Sequence, residues 1–210
     1  MSSSDKNGSN WMFGNAWRIF RQYTWRQLFG RAAEEYVWWI IRSWPGVSGL
    51  YLRYLFLKAT TKKLDGFCWI SQGCTFSNTY GLTIGTHFAT NRNVLVDAIG
   101  GIEIGNHVGI GPNCVILSHE HRMVGAARYY EDGSYRRLPI RIESGVWIGA
   151  NCFIKAGITI GEDAIIGACS NVVCDVPKAG RYIGTPAIPY VQAMRQFFTA
   201  HGSARSKMDT

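Results

Sequence analysis

His119 and His121 stand two residues apart in a stretch, LSHEHRMVGAARYYEDGSYRRLP, that also carries four arginines and three tyrosines. Histidine takes up and releases a proton near neutral pH, so an H-x-H pair on a loop can serve as a general base toward a hydroxyl. Two more histidines, His87 and His107, each follow Ile-Gly-x and lie 20 residues apart, which raises a metal reading. The six cysteines are Cys68, Cys74, Cys114, Cys152, Cys169 and Cys174. None forms a C-x-x-C pair, so zinc-ribbon and dithiol chemistry find no support. The polar start, MSSSDKNGSN, lacks the apolar stretch of a signal peptide, so neither export nor a disulfide framework is expected.

What must position these groups is a repeat. Aliphatic residues followed by Gly recur at a step of six: Ile104-Gly105, Ile110-Gly111, Ile148-Gly149, Ile160-Gly161 and Ile166-Gly167. The register runs Leu64, Ile70, Phe76, Leu82, then Ile84, Thr90, Val96, Ile102, then Ile104, Ile110, Ile116, and resumes from Ile142 to Val172. Each early block restarts two residues late, beside Tyr80-Gly81 and Gly100-Gly101, so the early coils are 20 residues long and the later ones 18. Neither a helix nor a flat sheet explains this period, whereas a three-sided solenoid of short strands does. The aliphatic residue should point inward and the Gly should supply a permissive φ at the bend. A smaller inward residue follows four positions later, at Cys68, Cys74, Val108, Cys114, Val146, Cys152, Ile158, Ala164 and Ser170. Four of the cysteines are thereby read as core residues. The period breaks only between Ile116 and Ile140, and such insertions at coil corners tend to carry function.

The chain has 210 residues, 47% of them apolar, and a net charge of +8 that is unevenly spread. Up to Lys63 there are ten Lys/Arg against three Asp/Glu, and six of the eight tryptophans fall before residue 45. Residues 1–63 are therefore read as a basic, Trp-rich helical leader. Residues 64–187 form the repeat domain with its loop 118–139, and 188–210 a terminal helix and tail. Within the leader, helices are expected around Trp17–Phe29, Tyr36–Ile41 and Val47–Lys58, and another helix is expected over 190–199 before a loose tail at 202–210. No run of 18 apolar residues supports a membrane span. Tryptophans with surplus cations suit a membrane surface, so peripheral contact through residues 11–58 is expected, beside the simpler role of capping the solenoid. The near-neutral body carries no recognition motif for nucleic acid.

The repeat, the interrupting H-x-H loop and the return through Val146-Trp147-Ile148-Gly149 resemble the hexapeptide-repeat acyltransferases, closest to the maltose, galactoside and surface-polysaccharide O-acetyltransferases. Gly157-Ile158-Thr159-Ile160-Gly161 and the closing Gly184-Thr185-Pro186-Ala187 carry the same likeness. The resemblance implies a left-handed parallel β-helix, a homotrimer and acetyl-CoA as co-substrate, with active sites between neighbouring subunits and no metal. It assigns His121 as catalytic base, with His119 in reserve, and Asn91 and Asp97 as holders of an acceptor sugar. Trp147 and the backbone near Gly149, Ala150 and Ala168 would line the acyl-carrier path. It also implies a cytoplasmic protein, at most peripheral on the inner face of the membrane, working in polysaccharide biosynthesis. The leader pattern P-G-x-x-G-x-x-L-R, at Pro45–Arg53, resembles acetyltransferases of that kind and favours a lipid-linked or nucleotide-linked glycan acceptor.

Two departures stand out. Val173-Cys174 replaces a usual Thr-Lys, and Ile188 replaces a basic residue, both at positions that meet CoA phosphates in similar proteins; Arg181 and Lys178 are the candidate substitutes. A γ-type carbonic anhydrase on the same scaffold, using His87 and His107, and a non-catalytic scaffold are the alternatives.

Overall fold

Burying a side chain at every sixth position requires a corner every six residues, and the chain turns one. The computed structural model describes residues 24–121 and 135–205. Strands of two or three residues stack into three sheets that enclose a single core. The first sheet comprises Lys63–Leu64, Leu82–Ile84, Ile102–Ile104, Ile140–Ile142 and Thr159–Ile160. The second climbs from Trp69–Ile70 through Trp147–Ile148 to Arg181–Ile183, with Ile188–Pro189 added antiparallel at its end. The third climbs from Thr75–Ser77 through Leu95–Asp97 and Val115–Leu117 to Asn171–Val172. This is a parallel β-solenoid. Leu64 pairs with Ile84 and Ile84 with Ile104, 20 residues apart, whereas Ile142 pairs with Ile160, 18 apart. Ile104 pairs with Ile142 across the insert, so the loop leaves the coil without disturbing the ladder.

Ile70, Phe76, Ile84, Val96, Ile116, Ile148, Ile154 and Ile166 are all buried, stacked coil on coil. Cys68, Cys74, Cys114 and Cys152 are buried beside them as the repeat required, and Cys169 and Cys174 are exposed. Burial pushes the Cys68 thiol up to about 12. Cys114 is also pushed up, first by its hydrogen bond with the Cys152 thiol and then by burial.

The role expected of the repeat glycines needs correcting. None of Gly105, Gly111, Gly149, Gly161 or Gly167 has a positive φ. They are glycine because the next coil passes too close: a Cβ on Gly149 would stand 2.6 Å from the Ala168 nitrogen, and one on Gly161 2.5 Å from that of Lys178. The left-handed corner falls two residues later, at Gly73, His87, Asn93, His107, Asn113, Gly145, Asn151, Asp163 and Cys169. Asn tolerates that region well, and here it also builds a ladder. Asn93 Nδ2 donates to Asn113 Oδ1 (3.2 Å), and Asn113 Nδ2 donates to Asn151 Oδ1 (3.1 Å).

Ahead of the solenoid lie helices α1 (Trp25–Ile41) and α2 (Gly46–Thr60). Where two segments were expected around Trp17–Phe29 and Tyr36–Ile41, one continuous helix spans from Trp25 to Ile41; Trp17, Phe20 and Arg21 lie outside the described residues. The intervening residues, GRAAEE, are mostly strong helix formers and do not break it. The motif Pro45–Arg53 now has a physical explanation. Gly49 admits the Trp44 carbonyl, which would stand 2.0 Å from any Cβ there. Arg53, buried, donates Nε to the Ile70 carbonyl (2.8 Å) and Nη1 to those of Trp44 (2.8 Å) and Ile41 (3.1 Å). It thereby caps the end of α1 and ties both helices to the first coil, a role matched to a guanidinium's fork of donors. Desolvation lowers its pKa from the ordinary value. At the other end α3 (Tyr190–Arg205) runs six residues past the expected stop at 199, taking in the first part of the tail. Among the described residues no helix is long and apolar enough to cross a membrane.

Candidate active site

The insert opens as an antiparallel ribbon: His119–His121 pairs with Tyr135–Arg137. It leaves the corner between the third and first sheets, where Val115–Leu117 ends. A strand puts i and i+2 on one face, so His119 and His121 share a side. Their rings meet edge to face at 5.7 Å, and the Tyr135 ring lies 5.5 Å from His119 and 6.3 Å from His121. Glu120 turns the other way and pairs with Lys155 (2.8 Å), fastening the ribbon to the next coil. His121 is exposed and His119 half-buried, its Nδ1 buried with no hydrogen-bond partner among the described residues. Residues 122–134 of the loop lie outside them.

At the foot of the ribbon Ser118 is buried. Its nitrogen (3.0 Å) and Oγ (2.8 Å) both donate to the Asp97 carbonyl, and Oγ accepts from the Gly100 nitrogen (2.8 Å). Asp97 thus stands one coil below the histidine strand, in register with Leu117. Its Oδ1 accepts from Asn78 Nδ2 (2.8 Å) and from the Ile99 nitrogen (3.1 Å), so the carboxylate both shapes its own turn and is held in place. Asn78 and Ser118 were not singled out in the sequence. Nothing marks them there, because each acts at a corner where the hexad register has already lapsed.

Asn91 does not join this group. Its Oδ1 accepts from the Arg92 nitrogen (2.8 Å), and it occupies the corner between the second and third sheets, at the far edge of the third sheet from Asp97. That corner is a column: the Asn91 nitrogen bonds Ile110, Gly111 bonds Ile148, and Gly149 bonds Ile166. Gly149, Ala150 and Ala168 therefore lie in line with Asn91, with the Cys169 nitrogen donating to the Ala150 carbonyl (2.8 Å). Trp147, 55% exposed, sits beside Gly109 on the second sheet, in register with Ile165 and through it with Arg181. Of the two candidate cations, Lys178 is engaged by Glu162 and Arg181 shares the Trp147 column. Within one chain the candidates form two groups on opposite edges of the third sheet.

His87 and His107 stack face to face, 4.4 Å apart and 7° from parallel. Both residues serve the left-handed corner.

A hexad-wound solenoid with a histidine ribbon at one corner resembles the hexapeptide-repeat acetyltransferases, and the sequence and structure comparisons point the same way. Residues 139–173 match the family described as bacterial transferase hexapeptide (six repeats). The chain is 32% identical to the galactoside O-acetyltransferase of Escherichia coli strain K12 over 118 residues, 56% of this chain and 57% of that enzyme. It thus spans less than two thirds of that relative's length. It is 24% identical to the putative colanic acid biosynthesis acetyltransferase WcaF of the same organism, over 76% of this chain and 87% of that one. Among solved structures it resembles a hexapeptide-repeat acetyltransferase of Vibrio cholerae complexed with acetyl coenzyme A. The TM-score is 0.69 at 28% identity, covering 77% of this chain and 85% of that chain.

Proposed function

We propose that the chain transfers the acetyl group of acetyl-CoA to a sugar hydroxyl, in the building of a surface polysaccharide. The observation that carries this reading is the His119–His121 ribbon standing directly above Asp97 in a fold that binds acetyl-CoA in its Vibrio cholerae likeness. Neutral His121 accepts the proton of the hydroxyl as its oxygen attacks the thioester carbon. The tetrahedral adduct collapses, the C–S bond breaks, and the imidazolium returns its proton to the departing thiolate. Such base assistance contributes roughly 10²–10⁴-fold. Asp97 orients the acceptor by accepting a hydrogen bond from a neighbouring hydroxyl. No cysteine nucleophile is called on; Cys114 is buried.

The separation of the two residue groups supports a homotrimer with the site between copies. The His121 and Asp97 edge of one subunit would face the Asn91, Gly149, Ala150 and Ala168 corner of its neighbour, with Trp147 beside the pantetheine. Arg181, in the Trp147 column, is the cation for the CoA phosphates. Residues 64–187 would form the catalytic domain. For the leader we infer peripheral contact with the inner face of the membrane. On α1, Trp25, Phe29, Tyr36 and Ile40 form one exposed stripe, and on α2, Val47, Tyr51 and Leu55 form another.

The test is acetyl-CoA-dependent thiol release across sugar and sugar-nucleotide acceptors, wild type beside His121→Ala. Turnover that the substitution abolishes is the expected result. No acceptor-dependent release with any sugar would overturn the reading.

A further inference from the structure

Between α1 and the first coil lies a groove of about 220 Å³ that the transfer reaction as described does not use. Glu35, Trp39, Arg42, Thr75, Ser77 and Asn78 line it. Glu35, Trp39 and Arg42 are spaced i, i+4 and i+7, so they share one face of the helix. That face lies between the core side, where Trp38 and Ile41 are buried, and the outer stripe of Trp25, Phe29, Tyr36 and Ile40. Trp39 is 67% exposed although it lines the groove. Arg42 Nη1 lies 3.4 Å from Thr75 Oγ1 as a donor. An aromatic face, a carboxylate and a guanidinium are thereby set against an edge bearing two hydroxyls and an amide. A pyranose is bound by this set: the ring stacks its C–H face on the indole, and its hydroxyls bond the carboxylate and the guanidinium.

The position of the groove says which sugar it would hold. Its floor residue, Asn78, donates to Asp97 at 2.8 Å, and Asp97 is joined through its carbonyl to Ser118, the residue before His119. The groove belongs to the first coil, Asp97 to the second, and the histidine strand leaves the third. Two strand spacings, roughly 10 Å, separate groove from histidines. One sugar ring placed over Asp97 would put the next ring at the groove.

We propose that this groove is a second sugar-binding subsite, so that the acceptor is an oligosaccharide whose reacting ring lies over Asp97 and whose adjoining ring stacks on Trp39 between Glu35 and Arg42. The proposal rests on the reading of the chain as a sugar O-acetyltransferase. Glucose, maltose and maltotriose, with the matching galactose and N-acetylglucosamine series, are compared as acceptors by thiol release, in wild type and in Trp39→Ala and Glu35→Gln. Both residues are exposed, so the variants should fold. The two-ring acceptor of the productive series should exceed its monosaccharide in kcat/KM by about tenfold, the scale of one stacked ring. Trp39→Ala should erase that excess and leave the monosaccharide value within twofold. An excess that survives both substitutions, or a loss equal on one-ring and two-ring acceptors, overturns the subsite. If no sugar turns over, the transfer reading fails separately. The subsite is then judged by calorimetric binding of the same trisaccharides to wild type and Trp39→Ala: binding lost in the variant upholds it, and equal or absent binding overturns it.

Discussion

Ser118 donates two hydrogen bonds to the carbonyl of Asp97, and so the strand carrying the histidines is anchored to the coil carrying the Asp97 carboxylate. The same Oγ accepts from the Gly100 nitrogen, in a buried place. Ser118→Ala strands that N–H without a partner, which costs about 1–3 kcal/mol. We expect the urea midpoint to fall accordingly, and turnover to fall further than the midpoint does, because the ribbon loses its anchor. Ser118→Thr, which keeps the hydroxyl, should recover turnover before it recovers stability. Recovery of neither would deny Ser118 any positioning role.

His121→Ala should lower kcat by roughly 10²–10⁴. His121 is exposed, so the midpoint of thermal unfolding should stay close to that of wild type. His119 is half-buried against His121 and Tyr135. Replacing it should therefore disturb both the rate and the fold of the ribbon. A full rate in His121→Ala with a lost rate in His119→Ala would exchange their roles.

The core could be read from the sequence because every sixth side chain faces the same environment, and a repeated environment leaves a repeated residue. Ile148, Ile154, Ile160 and Ile166 needed only counting. The glycines misled for a related reason. A glycine demanded by a close neighbour and one demanded by a positive φ look identical in a sequence, and only the passage of Ala168 beside Gly149 separates them. At the site, His119 and His121 were visible because they interrupt the period. Asn78 and Ser118 act through single bonds to Asp97, which no spacing encodes. The distance of Asn91 from the histidines was equally hidden, since a three-sided coil puts residues six apart at opposite ends of one side.

The glycine finding carries a direct test. Gly149→Ala forces a Cβ to 2.6 Å from the Ala168 nitrogen, a backbone atom that cannot step aside. Overpacking of this kind costs about 1–3 kcal/mol. Gly66→Ala is the control: its Cβ would stand 3.4 Å from the Thr86 side chain, an ordinary contact, and its φ is not positive. It should be neutral or slightly stabilising, because alanine reduces the freedom of the unfolded chain. Equal destabilisation of the two variants would show that backbone approach is not what the hexad glycine serves.

Two buried thiols, Cys68 and Cys74, tie stability to alkaline pH. Burial pushes Cys68 up to about 12 and moves Cys74 in the same direction. An unfolded thiol ionises near 8.5. Above that pH the unfolded chain gives up protons that the folded chain keeps, so the native state binds more protons and stability falls as pH rises. The contribution of Cys68 is complete below the unfolded pKa, is lost at up to about 1.4 kcal/mol per pH unit above it, and is spent as pH approaches 12; that of Cys74 is lost in the same direction. Urea midpoints at pH 8, 9 and 10 should decline more steeply in wild type than in Cys68→Ala, so the gap between the two narrows with pH. Parallel lines would mean that Cys68 ionises equally in both states.

The leader's outer stripes give the last test. Trp25 is 78% exposed, Phe29 73% and Tyr36 72%, and they lie on one side of α1, away from Trp38 and Ile41, which pack on the solenoid. Residues 1–63 carry a surplus of seven positive charges. Indole and phenol rings favour the headgroup region, and each Lys or Arg near an anionic surface adds about 1 kcal/mol. Deleting the leader is a poor experiment, because it would strip Trp38 and Arg53 from the first coil. The triple variant Trp25→Ser, Phe29→Ser, Tyr36→Ser alters only exposed side chains. Wild type should float with vesicles containing phosphatidylglycerol and not with phosphatidylcholine alone. The triple variant should lose most of that binding, and high salt should weaken what remains, since surface attraction is screened within about 10 Å at 0.1 M. Flotation equal in wild type and variant would leave these rings to a protein partner or to a second copy of the chain.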